Sequence, residues 1–246
     1  MNDGRIEPSS RPASVLIVDD HPTVREGLAV RIRRETDLIV CGEFSDGRGA
    51  LEFIGTTIPD VAVVDISLKT GSGIDLTKQL KETSSSIRVL VWSMHVDSLY
   101  AERALRAGAD GYINKEQATA NVVDAIRDVL AGKIYLSGQT ADQLLRRSIC
   151  MARQASGATP IERLSDRELE TYRLIGEGLS TKEVAQKMDT HLRTVETYLA
   201  RAKKKFHFES RQQLIHAAAQ WVLENRSFGT ATAQDLGNGV AIASHE

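Results

Sequence analysis

Five polar residues follow short apolar runs that have the composition of β-strands: Asp19, Asp20, Asp65, Ser93 and Lys115. In an open parallel sheet with helices on both faces, ligands bind outside the carboxyl ends of the strands. Residues that are far apart in the chain would therefore meet at one edge of the sheet. Three carboxylates, a hydroxyl and an ammonium at that edge predict a cation-dependent phosphoryl site.

The three carboxylates predict a bound Mg²⁺, because like charges at short range repel and burial adds to the cost. Mg²⁺ prefers oxygen ligands and keeps several waters, one of which a phosphoryl oxygen can replace. Asp65 is then a candidate nucleophile, since carboxylates form acyl phosphates. Lys115 would neutralise phosphoryl oxygens, and the hydroxyl of Ser93 would donate a hydrogen bond to them. Taken singly, each aspartate could be a helix cap or a turn residue, and Lys115 a solvated loop residue.

The elements that must position these residues alternate along the first half of the chain. The predicted strands are 15–19, 38–43, 61–65, 88–92 and 111–114. Amphipathic helices are predicted between and after them, at 22–34, 47–55, 73–83, 97–107 and 119–131. Such alternation predicts an α/β fold, a doubly wound five-stranded parallel sheet of the flavodoxin-like type. Continuously apolar central strands fit burial on both faces.

The rest of the chain reads as helical. A helix is predicted at 140–153 and four more at 166–177, 181–188, 191–206 and 210–225. The predicted organisation is an α/β domain at 13–134, a linker at 135–160, a small all-α domain at 161–226 and a disordered tail at 227–246. The linker and the tail are assigned from their small and polar residues.

Bulk composition narrows the class of protein. The chain of 246 residues is 41% hydrophobic and 26% charged, and it has only two cysteines. No apolar run reaches the roughly 20 residues of a membrane helix, and the N-terminus lacks a signal peptide, so we expect a cytoplasmic protein without membrane contact. Residues 1–135 carry 16 basic and 20 acidic side chains, whereas residues 136–226 carry 15 and 11. A basic C-terminal half is compatible with phosphate contacts.

Two of the C-terminal helices, 181–188 and 191–206, are separated by a short break. This spacing indicates a helix-turn-helix, whose second helix would enter the major groove. Val195, Leu199 and Ala202 recur at helical spacing and are predicted to be core. The candidate DNA contacts are Arg193, Thr194, Glu196, Thr197, Arg201, Lys204 and Lys205. Alternatively, the basic end is a solvated helix C-terminus, which favours cations.

The segments 15–22, 64–67, 92–93 and 108–115 resemble the receiver domain of two-component response regulators. The resemblance implies that a sensor histidine kinase phosphorylates Asp65 and that Asp19, Asp20, Asp65 and the backbone carbonyl of Ser67 bind Mg²⁺. It also implies that Ser93 and Tyr112 form a switch pair, in which the ring fills space left when Ser93 moves toward the phosphoryl group. Ser67 and His95 flank the expected path of hydrolytic water, and we hypothesise that the bulk of His95 slows loss of the phosphoryl group.

Residues 162–222 resemble the LuxR/FixJ-type helix-turn-helix, through segments 164–170, 178–185, 193–197 and 210–215. Together the two halves resemble a NarL/FixJ-type transcription regulator, which implies binding to promoter DNA as a homodimer, often through the last helix. Glu196 departs from the family because lysine is common at that position. A glutamate can accept a hydrogen bond from cytosine.

The interpretation is therefore a DNA-binding regulator controlled by phosphorylation at Asp65. One alternative is a phosphorylation-independent DNA binder whose receiver serves only for dimerisation. The other is an Asp-nucleophile phosphatase, although such enzymes place a second carboxylate two residues after the nucleophile, where this chain has Ser67.

Overall fold

The chain divides into two compact units, with the boundary after Ser156. The computed structural model describes residues 11–68, 70–94, 98–153 and 160–230. Within these ranges, no helix is both long enough and apolar enough to cross a membrane. The hypothesis about His95 concerns a residue outside the described ranges.

The first unit is built on a five-stranded parallel sheet. Its strands are β1 (Ala13–Val18), β2 (Leu38–Phe44), β3 (Val61–Asp65), β4 (Arg88–Ser93) and β5 (Gly111–Asn114). The strand order is β2-β1-β3-β4-β5, and every neighbouring pair is parallel. This order reverses direction at β1, as in a doubly wound sheet, so the predicted fold class is confirmed.

Helices alternate with the strands as predicted. They are α1 (Pro22–Ile32), α2 (Gly47–Ile54), α3 (Gly73–Thr83), α4 (Ser98–Arg106) and α5 (Lys115–Leu130). The prediction was wrong about the start of α5, which begins at Lys115 and not at Thr119. The four residues from Lys115 to Ala118 are good or neutral helix formers, and no glycine or proline separates them from β5.

The segment that follows α5 is attached to the edge of the sheet. The backbone N–H of Tyr112 donates to the Tyr135 carbonyl at 2.8 Å, and the Tyr135 N–H donates to the Asp110 carbonyl at 3.0 Å. Helix α6 (Gly138–Arg153) follows and packs against α4. The helix predicted at 140–153 is thus present with two additional residues. The residues predicted as a linker therefore begin with an extension that covers the edge of β5.

The second unit contains a 3₁₀ turn (Pro160–Arg163) and four helices. These are α7 (Asp166–Gly176), α8 (Thr181–Lys187), α9 (Leu192–Lys205) and α10 (Arg211–Thr230). Ser165 and Ser180 begin α7 and α8 with capping boxes, in which the serine side chain and a glutamate three residues later satisfy each other's backbone N–H groups. Helix α10 extends to Thr230, four residues beyond the predicted end of the domain at 226.

The core of the second unit forms where α7 contacts α9 and α10. The rings of Tyr172 and Phe206 stack with centroids 5.0 Å apart, and Tyr172 also lies 6.0 Å from Trp221. A Cβ at Gly176 would lie 2.4 Å from the Ala218 carbonyl oxygen, so glycine lets α7 and α10 approach closely. This packing leaves one side of α9 uncovered within the unit.

Candidate functional site

The carboxyl edge of the sheet gathers the polar residues that the sequence analysis singled out. Asp19 follows β1, Asp65 ends β3, Ser93 ends β4 and Lys115 follows β5 directly. The parallel register pairs Asp65 with Trp92 and Ser93 with Asn114, which places all these positions at one edge. Asp19, Asp65 and Ser93 are buried.

Lys115 joins two of the carboxylates. Its Nζ lies 2.7 Å from Asp19 Oδ2 and 2.9 Å from Asp65 Oδ2, and its side chain is only 6% exposed. A buried ammonium at these distances offsets part of the repulsion between the two aspartates. The same ammonium lies beside Asp65, where a phosphoryl group attached to that residue would need a positive charge.

Asp19 is held on every side by hydrogen bonds. Its Oδ1 accepts from the backbone N–H of His21 at 2.8 Å, and its carbonyl accepts from an Arg25 guanidinium N–H at 2.6 Å. Its own N–H donates to the Phe44 carbonyl at 3.0 Å, which continues the pairing of β1 with β2. Asp19 is therefore a fixed anchor for Lys115. Sequence reasoning missed Arg25, because its partner is a backbone atom that carries no sequence signal.

The environment of Asp20 indicates whether these residues could hold a metal ion. Its buried Oδ1 has no hydrogen-bond partner among the described residues. His21 Nδ1 lies 2.7 Å away, but without the geometry of a hydrogen bond. A buried carboxylate oxygen without a donor is costly unless a cation completes it. One ligand atom each from Asp19, Asp20, His21 and Asp65 lie within 4.8 Å of one another, so the residues fit a divalent cation.

The surroundings of Asp65 shift the pKa of its carboxyl. Burial raises the pKa of its carboxyl above the ordinary 3.8, Lys115 opposes this rise, and the nearby Asp19 adds to it. The backbone N–H of Ser67 donates to the same carboxylate and also lowers the pKa. A cation bound at this edge would favour the ionised carboxylate, which is the form that acts as a nucleophile.

The two residues expected to form a switch pair are both interior. Ser93 is completely buried, and Tyr112 is 1% exposed. They lie on adjacent strands, since β4 pairs with β5 through Val91 and Tyr112. The Tyr112 ring is therefore in an inward position, while its backbone is bonded to Tyr135 at the start of the segment leading to α6.

Two further residues close to the site were not singled out as functional from the sequence. Gly73, the first residue of α3, packs directly on the backbone of Asp65. The sequence signal for Gly73 was its position immediately after the helix cap Ser72. Glycine is a poor helix former, so its presence at the start of a helix indicates that a side chain would not fit there. Trp92 lies beneath Lys115, with the ammonium 5.1 Å from its ring centroid. The sequence predicts Trp92 only as the end of an apolar strand, because its contact partner Lys115 is 23 positions further along the chain.

In the second unit, α8 and α9 form a helix-turn-helix. The turn passes through Asp189, whose φ of 45° is left-handed, a conformation that aspartate tolerates better than most residues. The Thr190 N–H donates to the Ala185 carbonyl at 2.9 Å, which fixes the turn against α8. Val195, Leu199 and Ala202 are buried, so their predicted place in the core is confirmed.

The remaining side of α9 is mostly exposed. The exposed residues are Leu192, Arg193, Glu196, Thr197, Ala200, Arg201 and Lys204. Of the predicted DNA contacts, Thr194 is half-buried, and Lys205 is already engaged within the unit. Lys205 Nζ lies 2.5 Å from Glu168 Oε2, the same oxygen that accepts from the N–H of the α7 cap residue Ser165 at 2.8 Å. Lys205 therefore has a partner within the unit, and its predicted contact with DNA stays a prediction.

Both units match known protein families. Residues 15–127 match the response regulator receiver domain, and residues 162–218 match the bacterial regulatory proteins of the luxR family. The two matches cover the parallel sheet with its helices and the helix-turn-helix, respectively.

The same two-part organisation is found in similar proteins over nearly their whole length. The transcriptional activator protein ExaE of Pseudomonas putida is 32% identical over 208 residues, which cover 84% of this chain and 95% of that protein. The nitrate/nitrite response regulator protein NarL of Escherichia coli K12 is 30% identical over 220 residues, 89% of this chain and 99% of that one. A solved structure matches a part of the chain only: the crystal structure of a LuxR-family two-component response regulator from Aurantimonas sp. SI85-9A1 aligns with a TM-score of 0.54 at 34% identity, covering 56% of this chain and 99% of that chain.

Proposed function

Because this chain belongs to the NarL/FixJ-type family of response regulators, we propose that Asp65 accepts a phosphoryl group and thereby controls DNA binding by the second unit. The observation that carries this assignment is the placement of Lys115 between Asp19 and Asp65 at the carboxyl edge of the sheet. This arrangement supplies a nucleophile, a fixed positive charge and a cluster of carboxylates for a cation.

The proposed reaction transfers a phosphoryl group from a phosphohistidine of a sensor kinase to Asp65. A carboxylate oxygen of Asp65 attacks phosphorus, and the bond from phosphorus to the imidazole nitrogen breaks. The electron pair stays on that nitrogen, which takes up a proton, and an acyl phosphate forms on Asp65. Lys115 holds positive charge beside the transferred oxygens, and Ser93 donates to one of them.

Asp19, Asp20 and Asp65, with the Ser67 carbonyl, would hold the Mg²⁺ that the cluster fits. Bound there, Mg²⁺ would neutralise charge on the phosphoryl oxygens. The phosphoryl group is lost by hydrolysis. Water attacks phosphorus, the bond from phosphorus to the Asp65 oxygen breaks, and the products are the Asp65 carboxylate and inorganic phosphate. These are steps on the protein's own side chain, and they do not require a turnover substrate.

For the second unit, we propose that the exposed side of α9 enters the major groove of promoter DNA. The positive charge of that side comes from Arg193, Arg201 and Lys204. The neighbouring Thr197 hydroxyl donates to the Arg193 carbonyl at 2.9 Å. Positive side chains on one face support phosphate contacts, which position the helix. Glu196 lies on the same face and can accept a hydrogen bond from a base amine.

We propose a homodimer as the DNA-bound form. Ile215 and Leu223 on α10 are 37% and 65% exposed, and they are eight residues apart, so they lie near one face of the helix. Large apolar residues on one exposed helix face support pairing with the same face of a second copy. Phosphorylation at Asp65 would favour this form.

The direct test of the assignment is labelling with radioactive acetyl phosphate in the presence of Mg²⁺. The wild-type protein should incorporate acid-labile phosphate, and Asp65→Asn should incorporate none. Asp46→Asn is the matched control, because Asp46 caps α2 and is not among the proposed site residues. Continued labelling of Asp65→Asn would contradict the assignment.

DNA footprinting with and without beryllofluoride tests the link to DNA binding. We expect protection at a lower protein concentration when beryllofluoride occupies the site of the phosphoryl group. Equal protection in both states would favour the phosphorylation-independent alternative. Turnover of a small phosphate ester would favour the phosphatase alternative, against which the residue two positions after Asp65 already argues, since it is Ser67.

A further inference from the structure

Trp92 lies directly beneath the proposed phosphoryl site. It is the penultimate residue of β4, next to Ser93, and only 5% of its surface is exposed. Its ring packs among the apolar residues between the sheet and helices α1 and α5. Lys115 Nζ lies 5.1 Å from the ring centroid, so the ammonium contacts an aromatic face in addition to the carboxylates of Asp19 and Asp65.

Trp92 interacts with Lys115 through the face of its ring. The indole N–H is buried and has no hydrogen-bond acceptor among the described residues, so the side chain is not held there by a polar contact of its own. Aromatic faces attract cations, tryptophan most strongly, and the attraction is largest when both groups are desolvated. The Lys115 side chain is only 6% exposed, which meets that condition.

We propose that Trp92 is a positioning residue for Lys115 in the phosphorylation reaction, an inference that rests on the proposed role of Asp65. Before transfer, the ammonium is attracted by Asp19, Asp65 and the ring. When Asp65 becomes an acyl phosphate, its carboxylate loses its charge and the negative charge beside Lys115 moves to the phosphoryl oxygens, so the ammonium must exchange one partner for the other. The ring is neutral and unaffected by the transfer, so it keeps the ammonium at the level where the phosphoryl oxygens arrive.

The test replaces tryptophan by mono-, di- and trifluorinated analogues during expression of the full chain. Fluorine withdraws electron density from the ring face while changing the volume little, so packing is retained and the attraction for the cation falls stepwise. The initial rate of phosphorylation by radiolabelled acetyl phosphate with Mg²⁺ is then measured for each protein. We expect a progressive decline that reaches about threefold to tenfold for the most fluorinated ring.

The analogues also enter at Trp221, the other tryptophan of the chain. Trp92→Phe, expressed with the same analogues, isolates that contribution, because only Trp221 is then fluorinated. Its rate should be constant across the analogues and lower than that of the unmodified wild type. Trp92→Leu should be slower still, since leucine has no aromatic face, and thermal unfolding followed by circular dichroism checks that it is folded.

A flat series in the wild-type background, with labelling that still requires Asp65, would overturn the role of Trp92 and leave the proposed function intact. A decline of equal size in the Trp92→Phe background would also overturn it. Labelling that persists in Asp65→Asn would overturn the proposed function itself, and with it this inference. The two failures are therefore distinguishable within one set of proteins.

Discussion

Gly73 packs against the carbonyl of Asp65 so closely that no side chain fits between them. A Cβ at Gly73 would lie 1.9 Å from the Asp65 carbonyl oxygen and 2.9 Å from the Ile66 Cα. The Gly73 N–H donates to the Ile66 carbonyl at 2.9 Å, which ties the start of α3 to the end of β3. The backbone of the proposed phosphoryl acceptor is thus positioned by a residue that contributes a backbone hydrogen bond and the absence of a side chain.

We expect Gly73→Ala to displace the Asp65 backbone. The three atoms nearest to the new methyl group all belong to the backbone, so the clash with them cannot be relieved by a rotamer change. The expected loss in free energy of unfolding is about 1–3 kcal/mol, accompanied by slower labelling with acetyl phosphate. Urea unfolding followed by Trp92 fluorescence in a Trp221→Phe background measures the first effect in this unit.

Gly27→Ala is the matched control. Gly27 lies inside α1, and a Cβ there meets nothing within 4 Å. Alanine in a helix interior is more favourable than glycine by about 0.5–1 kcal/mol, so this variant should be more stable and label normally. An unfolding midpoint of Gly73→Ala equal to that of the wild type would contradict the packing argument.

Asp20→Asn should have opposite effects with and without Mg²⁺. Without the ion, the change removes one of three neighbouring negative charges and should raise the free energy of unfolding by about 1 kcal/mol. At saturating Mg²⁺, ion binding should raise the free energy of unfolding of the wild type more than that of Asp20→Asn. Each tenfold loss of Mg²⁺ affinity in the variant removes about 1.4 kcal/mol of this stabilisation. Thermal unfolding over a Mg²⁺ titration should show the two stability curves crossing.

The control for this titration is Glu26→Gln, which removes an exposed acid of α1. It should respond to Mg²⁺ as the wild type does. If Asp20→Asn is less stable than the wild type without the ion, the repulsion that we ascribe to the cluster is absent.

Two adjacent lysines at the end of α9 should have different roles. Lys205 pairs with the buried carboxylate of Glu168, so Lys205→Met should destabilise the second unit by about 1–3 kcal/mol. Lys204 is exposed, so Lys204→Ala should leave stability nearly unchanged and weaken DNA binding. If Lys204 contacts phosphate, the slope of log affinity against log salt should fall by about one unit.

A double variant separates the ion pair from other effects of losing Lys205. Glu168→Gln removes the charge while keeping an amide oxygen for the Ser165 N–H, so adding it to Lys205→Met should recover part of the lost stability. Additive losses in the double variant would show that the contact contributes nothing. Unfolding of this unit is followed by the fluorescence of Trp221.

Asp110 should make the first unit sensitive to acid. Burial raises the pKa of its carboxyl, but the hydrogen bonds from Lys81 at 2.6 Å, the Val89 N–H at 2.9 Å and Arg88 at 2.8 Å outweigh burial. The net pKa therefore lies below the ordinary 3.8. A lowered pKa in the folded state means that the ionised group stabilises the fold above the unfolded-state value, and that this stability is lost as the pH falls through the folded-state value.

The measurement compares the wild type with Asp110→Asn. Near neutral pH the variant should be less stable by about 1–3 kcal/mol, because two cations lose a common acceptor. The difference should shrink once the pH falls below 3.8. Asp128→Asn, which breaks the exposed pair with Lys133, should change stability little at any pH. A difference between wild type and Asp110→Asn that is independent of pH would refute the linkage.

Much of the architecture could be predicted because its determinants are local. Short β-branched runs such as 61–65 and the helical pattern of 73–83 establish strand and helix within a few residues. Ser165 and Glu168 mark the start of α7 by their spacing alone, and the structure contains the predicted capping box.

The placement of Asp19, Asp65 and Lys115 at one edge could be predicted for the same reason: in a parallel sheet, every strand end points the same way. What the chain could not reveal on its own is how these groups are held. Arg25 binds a backbone carbonyl, Gly73 packs on a backbone, and neither contact has a side-chain partner that a pattern could indicate.

The sequence by itself determined the fold class, the strand ends that carry chemistry and the face of α9 that turns away from its core, because period and residue type encode each of them. Only the tertiary structure decided which charges are already paired. The sequence predicts Lys205 as a phosphate contact, and the structure shows that its ammonium is paired with Glu168, 37 positions earlier. Trp92 read as a buried strand residue until its ring was found beneath Lys115. Both outcomes depend on distances across the fold, and a linear pattern contains no such distances.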